Sequence, residues 1–279
     1  MKRLSIRGSA GKCLADLLVV VVLIPILGTM FIGCMQGRSR PTANRVKCAA
    51  NLKAIGNSLL MYSNDNKGQH PRTRYAPGPK VIPTAGTGAA TTQPFSEDGP
   101  APNDVTAAIY LLLATQDITG DSFVCPSSSA DKWDFGGGNN TASNWSNWNG
   151  IGEFRKHVSY SYQNPYPDDA AVASGFKFDV NAGADFAVFA DINPGKDALA
   201  VLPSSKPGLM SKANSRNHDG AGQNVLFGDG HVDWVQTPFC GIGSDNIYTR
   251  SKGTKDQASE DIWNSPRDLH DNVLLPTSE

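Results

Sequence analysis

His218, Asp229 and His231 are the residues of this chain best placed to do chemistry. Two imidazoles and a carboxylate can hold zinc and leave a fourth position to water, the arrangement of a metal-dependent hydrolase built on His218. Carboxylates at Asp229, Asp233 and Asp245 offer calcium an alternative, without the ligand spacing of an EF-hand. A plainer reading uses no metal: Asp229-Gly230 supplies a tight turn, and His218 hydrogen-bonds backbone where the chain enters it. Cys48, Cys125 and Cys240 lie beyond the N-terminal segment. In an oxidising space they allow one disulfide and one free thiol, and which two pair stays open. The chain has no CxxC pair, no GxSxG, no HExxH and no phosphate-cradling glycine loop with a lysine. The expectation is a non-enzymatic protein with no obligatory cofactor, zinc and calcium being the ions its residues would suit.

The elements that position these residues follow from the rest of the sequence. The 279 residues carry 25 Lys+Arg against 26 Asp+Glu, a formal net charge of −1. A balance of this kind excludes a broadly basic nucleic-acid binder, which needs a clustered cationic excess. Hydrophobic residues at 39% supply a real core, and 28 Gly with 18 Pro imply many turns and long loops.

The N-terminus is basic through Lys2, Arg3, Arg7 and Lys12, and then runs without charge from Leu17 to Gly33. As a helix that run spans roughly 25 Å, so a membrane helix over 12–36 is expected, bent at Pro25. Three signals compete for it: a removed signal peptide, a lipoprotein box ending at Cys34, and a leader cut after Gly11. Asp16 at the head of an apolar helix asks for a partner charge. A break is expected at Gly37 to Pro41, followed by an amphipathic helix over 42–67. Its apolar face is Val46, Ala49, Leu52, Ile55, Leu59 and Tyr62, closed by turn residues Asn64 to Gly68.

Residues 68–279 read as a globular head with long loops at 76–103 and 133–150. Trp133, Trp145 and Trp148 in the second loop serve either as a binding surface or as anchors folded inward. Asn103-Asp104 caps a helix over Val105 to Thr115, and Phe123 to Pro126 reads as a short strand. Alternation over His157 to Tyr162, and apolar runs at Asp185–Asp191, Gln223–Phe227 and His231–Val235, predict an antiparallel sheet of four to six strands. Gly228-Asp229-Gly230 between the last two is a hairpin signal. Helices first and strands later make the class α+β.

Several motifs in this order resemble the pilin-like family that combines a prepilin-type cleavage and methylation leader with a C-terminal H-X9-DG motif. Gly11-Lys12-Cys13-Leu14-Ala15-Asp16-Leu17-Leu18-Val19-Val20 aligns with the family's G-F-T-L-I-E-L-L-V-V, with Lys12 in place of Phe and Asp16 in place of Glu. Cys48 to Gly56 looks like its C-x-x-N-L-K-x-I-G helix, and Tyr62 to Gly68 like its Y-x-x-D-N-x-G ending. Cys125-Pro126, Tyr160-Ser161-Tyr162 and the segment His218 to Val232 follow, with ten residues rather than nine between His218 and Asp229.

The resemblance implies a type IV pilin-like fold: a long N-terminal helix, membrane plus amphipathic, packed on an antiparallel β-sheet head. It implies cleavage between Gly11 and Lys12 by a prepilin peptidase, and assembly through Asp16 with a neighbour's N-terminal ammonium. The partners would be the membrane and other pilin-like subunits or secretion machinery, in a type II secretion or type IV pilus-like system. The place would be the bacterial inner membrane, single-pass, N-terminus cytoplasmic, head in the periplasm or outside. Two other expectations stand beside it. One is a non-polymerising membrane-anchored or lipoprotein module that binds a glycan or protein; the other is the hydrolase on His218.

Overall fold

The computed structural model describes residues 10–88, 91–135, 141–148, 153–251 and 261–279, with the backbone alone at 10–16 and 25–39. The chain divides into two units, Met1–Ala43 and Asn44–Glu279. Helix α1 is assigned from Ala10 to Asp65 without interruption, through Pro25 and Pro41. The expected break at Gly37 to Pro41 is therefore absent: each proline removes one N–H from the helix, and the turns on either side continue.

The membrane part of the expected architecture is corrected. Among the described residues no helix is long and apolar enough to cross a membrane. This overturns the expected type IV pilin-like fold with a membrane helix over 12–36, and with it the expected single-pass inner-membrane placement with a cytoplasmic N-terminus.

The larger unit is built on a five-stranded antiparallel sheet in the order β4-β3-β2-β1-β5. Its strands are β1 Tyr160–Gln163, β2 Ala187–Asp191, β3 Gln223–Phe227, β4 Val232–Val235 and β5 Leu274–Leu275. The β1, β2 and β3 strands are buried on both faces, which explains why their sequences are apolar runs more than clean alternations. β3 and β4 form the expected hairpin, in register from Gln223↔Val235 to Leu226↔Val232. Gly230 at its tip has φ +86°, a backbone conformation that favours glycine.

The C-terminal part of α1 packs on this sheet through Cys48, Leu52, Ile55, Leu59 and Tyr62, spaced four, three, four and three apart and all buried. Val46, expected on that face, is 62% exposed; it precedes the stripe by two positions, about 200° round the helix. Gly56 lets the backbone of α1 come close to Leu226 of β3. Asn51 donates to the Val124 carbonyl at 2.8 Å and to the Tyr160 hydroxyl at 3.3 Å.

Helix α2, Val105–Thr115, starts at Asp104, whose carboxylate accepts from the Ala107 N–H. The same carboxylate accepts from Thr87 and from Asn147, tying both long loops to one helix start. Trp148 lies edge-on to Tyr110 of α2 and to Phe123. Trp133 and Trp148 are buried, so they anchor their loop inward and present no binding surface. Phe123 to Pro126 is not a strand. Gly120–Phe123 is a 3-10 turn, and the Phe123 and Val124 carbonyls are taken by Ser159 N–H and Asn51.

Candidate functional site

One place in the larger unit gathers side chains capable of chemistry from four separate segments. Cys48 comes from the buried stripe of α1, Cys125 from the turn after Phe123, Asp191 from the end of β2, and His218 from the 3-10 turn Arg216–His218 before β3. Their ligating atoms all lie within 4.8 Å of one another. Cys48 and Cys125 are joined as a disulfide, across 77 positions of sequence.

Local chemistry fixes each partner. Ser215 caps the short turn by accepting from the Asn217 N–H, and Asp219 at φ 55° and Gly220 at φ 71° reverse the chain after His218. The His218 Nε2 then lies 3.3 Å from Asp191 Oδ2 and 3.8 Å from Cys125 Sγ, while its ring stands edge-on to Trp234. Arg45 covers the Trp234 ring at 4.6 Å. Asp191 is fully buried, and its carboxylate is met by donors on both oxygens. Asn217 donates to Oδ1 at 3.0 Å; the Asn224 backbone N–H donates to Oδ2 at 2.7 Å and its side-chain amide at 3.1 Å. A carboxyl group at this depth needs its oxygens paired in this way, because an unpaired buried polar atom costs on the order of 2 kcal/mol.

The expected His218, Asp229 and His231 set is not brought together. The hairpin register puts His218 beside Asn224 and Trp234, at the open end of the β3–β4 pair. Asp229 and His231 sit at the closed end, where they pair with each other at 2.5 Å, half-exposed. That tip rests on α1, since Lys53 donates to the Gly230 carbonyl at 2.7 Å. Hydrogen bonds from the His231 backbone and ring hold the Asp229 carboxyl below its usual range.

The calcium candidates do not converge either. Asp233 lies 3.9 Å from His231 and is mostly exposed, whereas Asp245 is half-buried and accepts from the Asn272 N–H. Burial first, and then the neighbouring charge, raise Asp245 well above the usual carboxylate range. Asp271 rises to about 7 through burial, which outweighs the N–H donors of Arg267 and Ser251.

Cys240 is the remaining thiol of the larger unit. Burial and the nearby Asp245 push it up to about 12, so it carries almost no thiolate at neutral pH. The side chains of Gly11, Lys12, Asp16 and Cys34 lie outside the described residues.

Comparison with known protein families, characterised proteins and solved structures gives no match.

A cavity of about 530 Å³ opens at the end of α1 between Tyr62, His70, Arg72, Phe95, Phe178 and Asp179. Burial lowers His70 to about 4, so its ring is neutral at pH 7, with Nδ1 2.8 Å from the Ser63 hydroxyl. In the N-terminal unit, Leu17 to Ile24 are each between 48% and 64% exposed.

Asp191 is the site residue that sequence reasoning missed. Its local signal is slight: one acid closing an apolar strand. Asn217 and Asn224, which hold it, sit on either side of the Asp219 to Gly222 reversal, and only the folded turn shows that they share a carboxylate.

Proposed function

We propose that this chain is a structural subunit of pilin-like, pseudopilin kind, which assembles with further copies through the first part of α1 in a secretion or pilus-like system. The observation that carries the reading is the exposure of Leu17 to Ile24, eight consecutive aliphatic residues on a helix, each about half in contact with solvent. At 100° per residue they pass round the axis about twice, so the segment has no polar back. A single flat partner would cover only one side; a bundle of like helices covers all of it. Covering the exposed half of each side chain contributes ~1 kcal/mol, on the order of 10 kcal/mol for the stretch before association costs. The ordered run of leader, helix and hairpin motifs in the sequence supports the same reading.

The test places a photo-activated cross-linking residue at Val20 of the full chain. A ladder of multimers cross-linked through that position is expected. Cross-linking that yields monomer alone, at concentrations up to tens of micromolar, would overturn the reading. Processing gives an independent readout: after co-expression with a prepilin peptidase, the N-terminal sequence should start at Lys12. A chain left intact, or one starting at Cys34, would count against it.

A further inference from the structure

We propose that Cys48, Cys125, Asp191 and His218 form a redox-gated site for a thiophilic divalent cation, closed while the two sulfurs are bonded and opened when they are reduced. This goes beyond the assembly reading and does not rest on it.

Three observations carry the proposal. First, the donor set is two sulfurs, one imidazole nitrogen and one carboxylate oxygen, a combination that suits a tetrahedral, zinc-like ion. The edges of such a tetrahedron, with bonds of 2.0–2.3 Å, are ~3.3–3.8 Å. The His218 Nε2 already stands 3.3 Å from the Asp191 oxygen and 3.8 Å from the Cys125 sulfur. Second, the donor atoms are largely shielded from water: Cys48, Cys125 and Asp191 are at 0% exposure, and His218, half-buried as a residue, has its side chain at 6%. Four protein ligands in a closed setting make a structural or regulatory site rather than a catalytic one, which would keep a position open to water. Third, the Asp191 carboxylate is already oriented from outside by Asn217 and Asn224. Supporting donors of this kind are what a metal-binding carboxylate needs, and a disulfide bond by itself needs neither them nor a neighbouring His–Asp pair.

The two states exclude each other, because a bonded sulfur pair offers no thiolate. Opening consumes an external dithiol. The Cys48–Cys125 bond breaks, two electrons and two protons pass to its sulfurs, and the dithiol leaves as its own disulfide. The cation then displaces both thiol protons to solvent and takes the His218 Nε2 lone pair, with the ring proton on Nδ1. Two thiolates and one carboxylate against a divalent ion leave one net negative charge, which the Asn217 and Asn224 donors face.

The test uses the full chain, reduced with dithiothreitol, freed of excess reductant without air, and titrated with cobalt(II). The expected result is one equivalent bound, with the intense near-ultraviolet absorption of thiolate-to-cobalt charge transfer, which zinc then bleaches. The chain kept oxidised should bind less than a tenth as much. His218→Ala should weaken binding at least tenfold, with the sulfur band retained where metal is held. Should that variant fail to fold by circular dichroism, mass-spectrometric alkylation of the wild type takes its place. There, zinc should slow modification of Cys48 and Cys125 at least tenfold and leave Cys240 unaffected. Absence of the sulfur band, equal binding by oxidised and reduced chains, or binding that persists in Cys48→Ser/Cys125→Ser would each overturn the proposal. So would a reduced chain that unfolds and that zinc fails to restore.

Discussion

Asp245 and Asp271 are a half-buried and a buried carboxyl in the loops leading into β5, electrostatically linked, and their titration opposes folding at alkaline pH. Both hold protons in the folded chain that the unfolded chain releases near pH 4, since burial raises Asp271 to about 7 and Asp245 well above the usual range. The folded state therefore binds more protons than the unfolded one, and stability falls as pH rises. His70 acts in the opposite sense: lowered to about 4 from 6.5, it makes stability rise with pH between those values and adds nothing above them. The carboxyl effect is thus read cleanly above pH 6.5. The melting temperature is expected to fall between pH 6.5 and about pH 8.5, and to fall less in Asp245→Asn, which keeps an acceptor for the Asn272 N–H. A melting temperature that rises across that interval, or a fall that the variant leaves unchanged, would contradict this.

Residue by residue, the sequence was readable where the cause is local. Asp104 before an Ala/Leu-rich run announces a cap because a carboxylate satisfies the free N–H groups of a first helical turn. Asp229-Gly230 announces a hairpin because the turn needs positive φ. The partners of His218 were not readable. They come from β2, from α1 and from the turn after Phe123, and only the packed sheet brings them within reach. Joining His218 to His231 failed for the same reason, since a few residues of β3 are enough to carry them to opposite ends of one hairpin.

At the scale of elements, the contact between α1 and the sheet positions the site. Cys48 occupies the first place of the buried stripe, and the close approach of the helix at Gly56 sets its height over β3. A Cβ added at Gly56 would stand 3.0 Å from Leu226 Cδ1, and Leu226 is itself buried. Gly56→Val adds three carbons there and is expected to cost about 2 kcal/mol in urea unfolding. An unchanged or increased midpoint would show that α1 does not lie as close to β3 as described. The face of this helix was legible from periodicity at Leu52, Ile55, Leu59 and Tyr62. Its upper end was not: Val46 is apolar but points away, and the buried place is filled by Cys48. Hydropathy alone does not distinguish a cysteine bonded into the core from a small side chain left outside it. The strand expected at Phe123 to Pro126 was lost to a similar ambiguity. A short apolar run before a proline fits a turn as well as a strand, and here tertiary hydrogen bonds from Asn51 and Ser159 decide.

For the whole molecule, the two units have unlike surfaces. The larger one buries its apolar residues in a core that runs from α1 through the sheet to α2. The smaller one leaves Leu17 to Ile24 uncovered. An apolar stretch of this kind on a helix has a use when other chains cover it, as self-assembly through it would. Sedimentation velocity of the full chain over a hundredfold range of concentration reads this self-assembly, with Leu18→Ser/Val21→Ser/Ile24→Ser as the comparison. The full chain is expected to sediment as concentration-dependent oligomers, and the triple variant, with an unaltered circular dichroism spectrum, as a monomer. A full chain that remains monomeric throughout, or a variant that associates equally well, would contradict it.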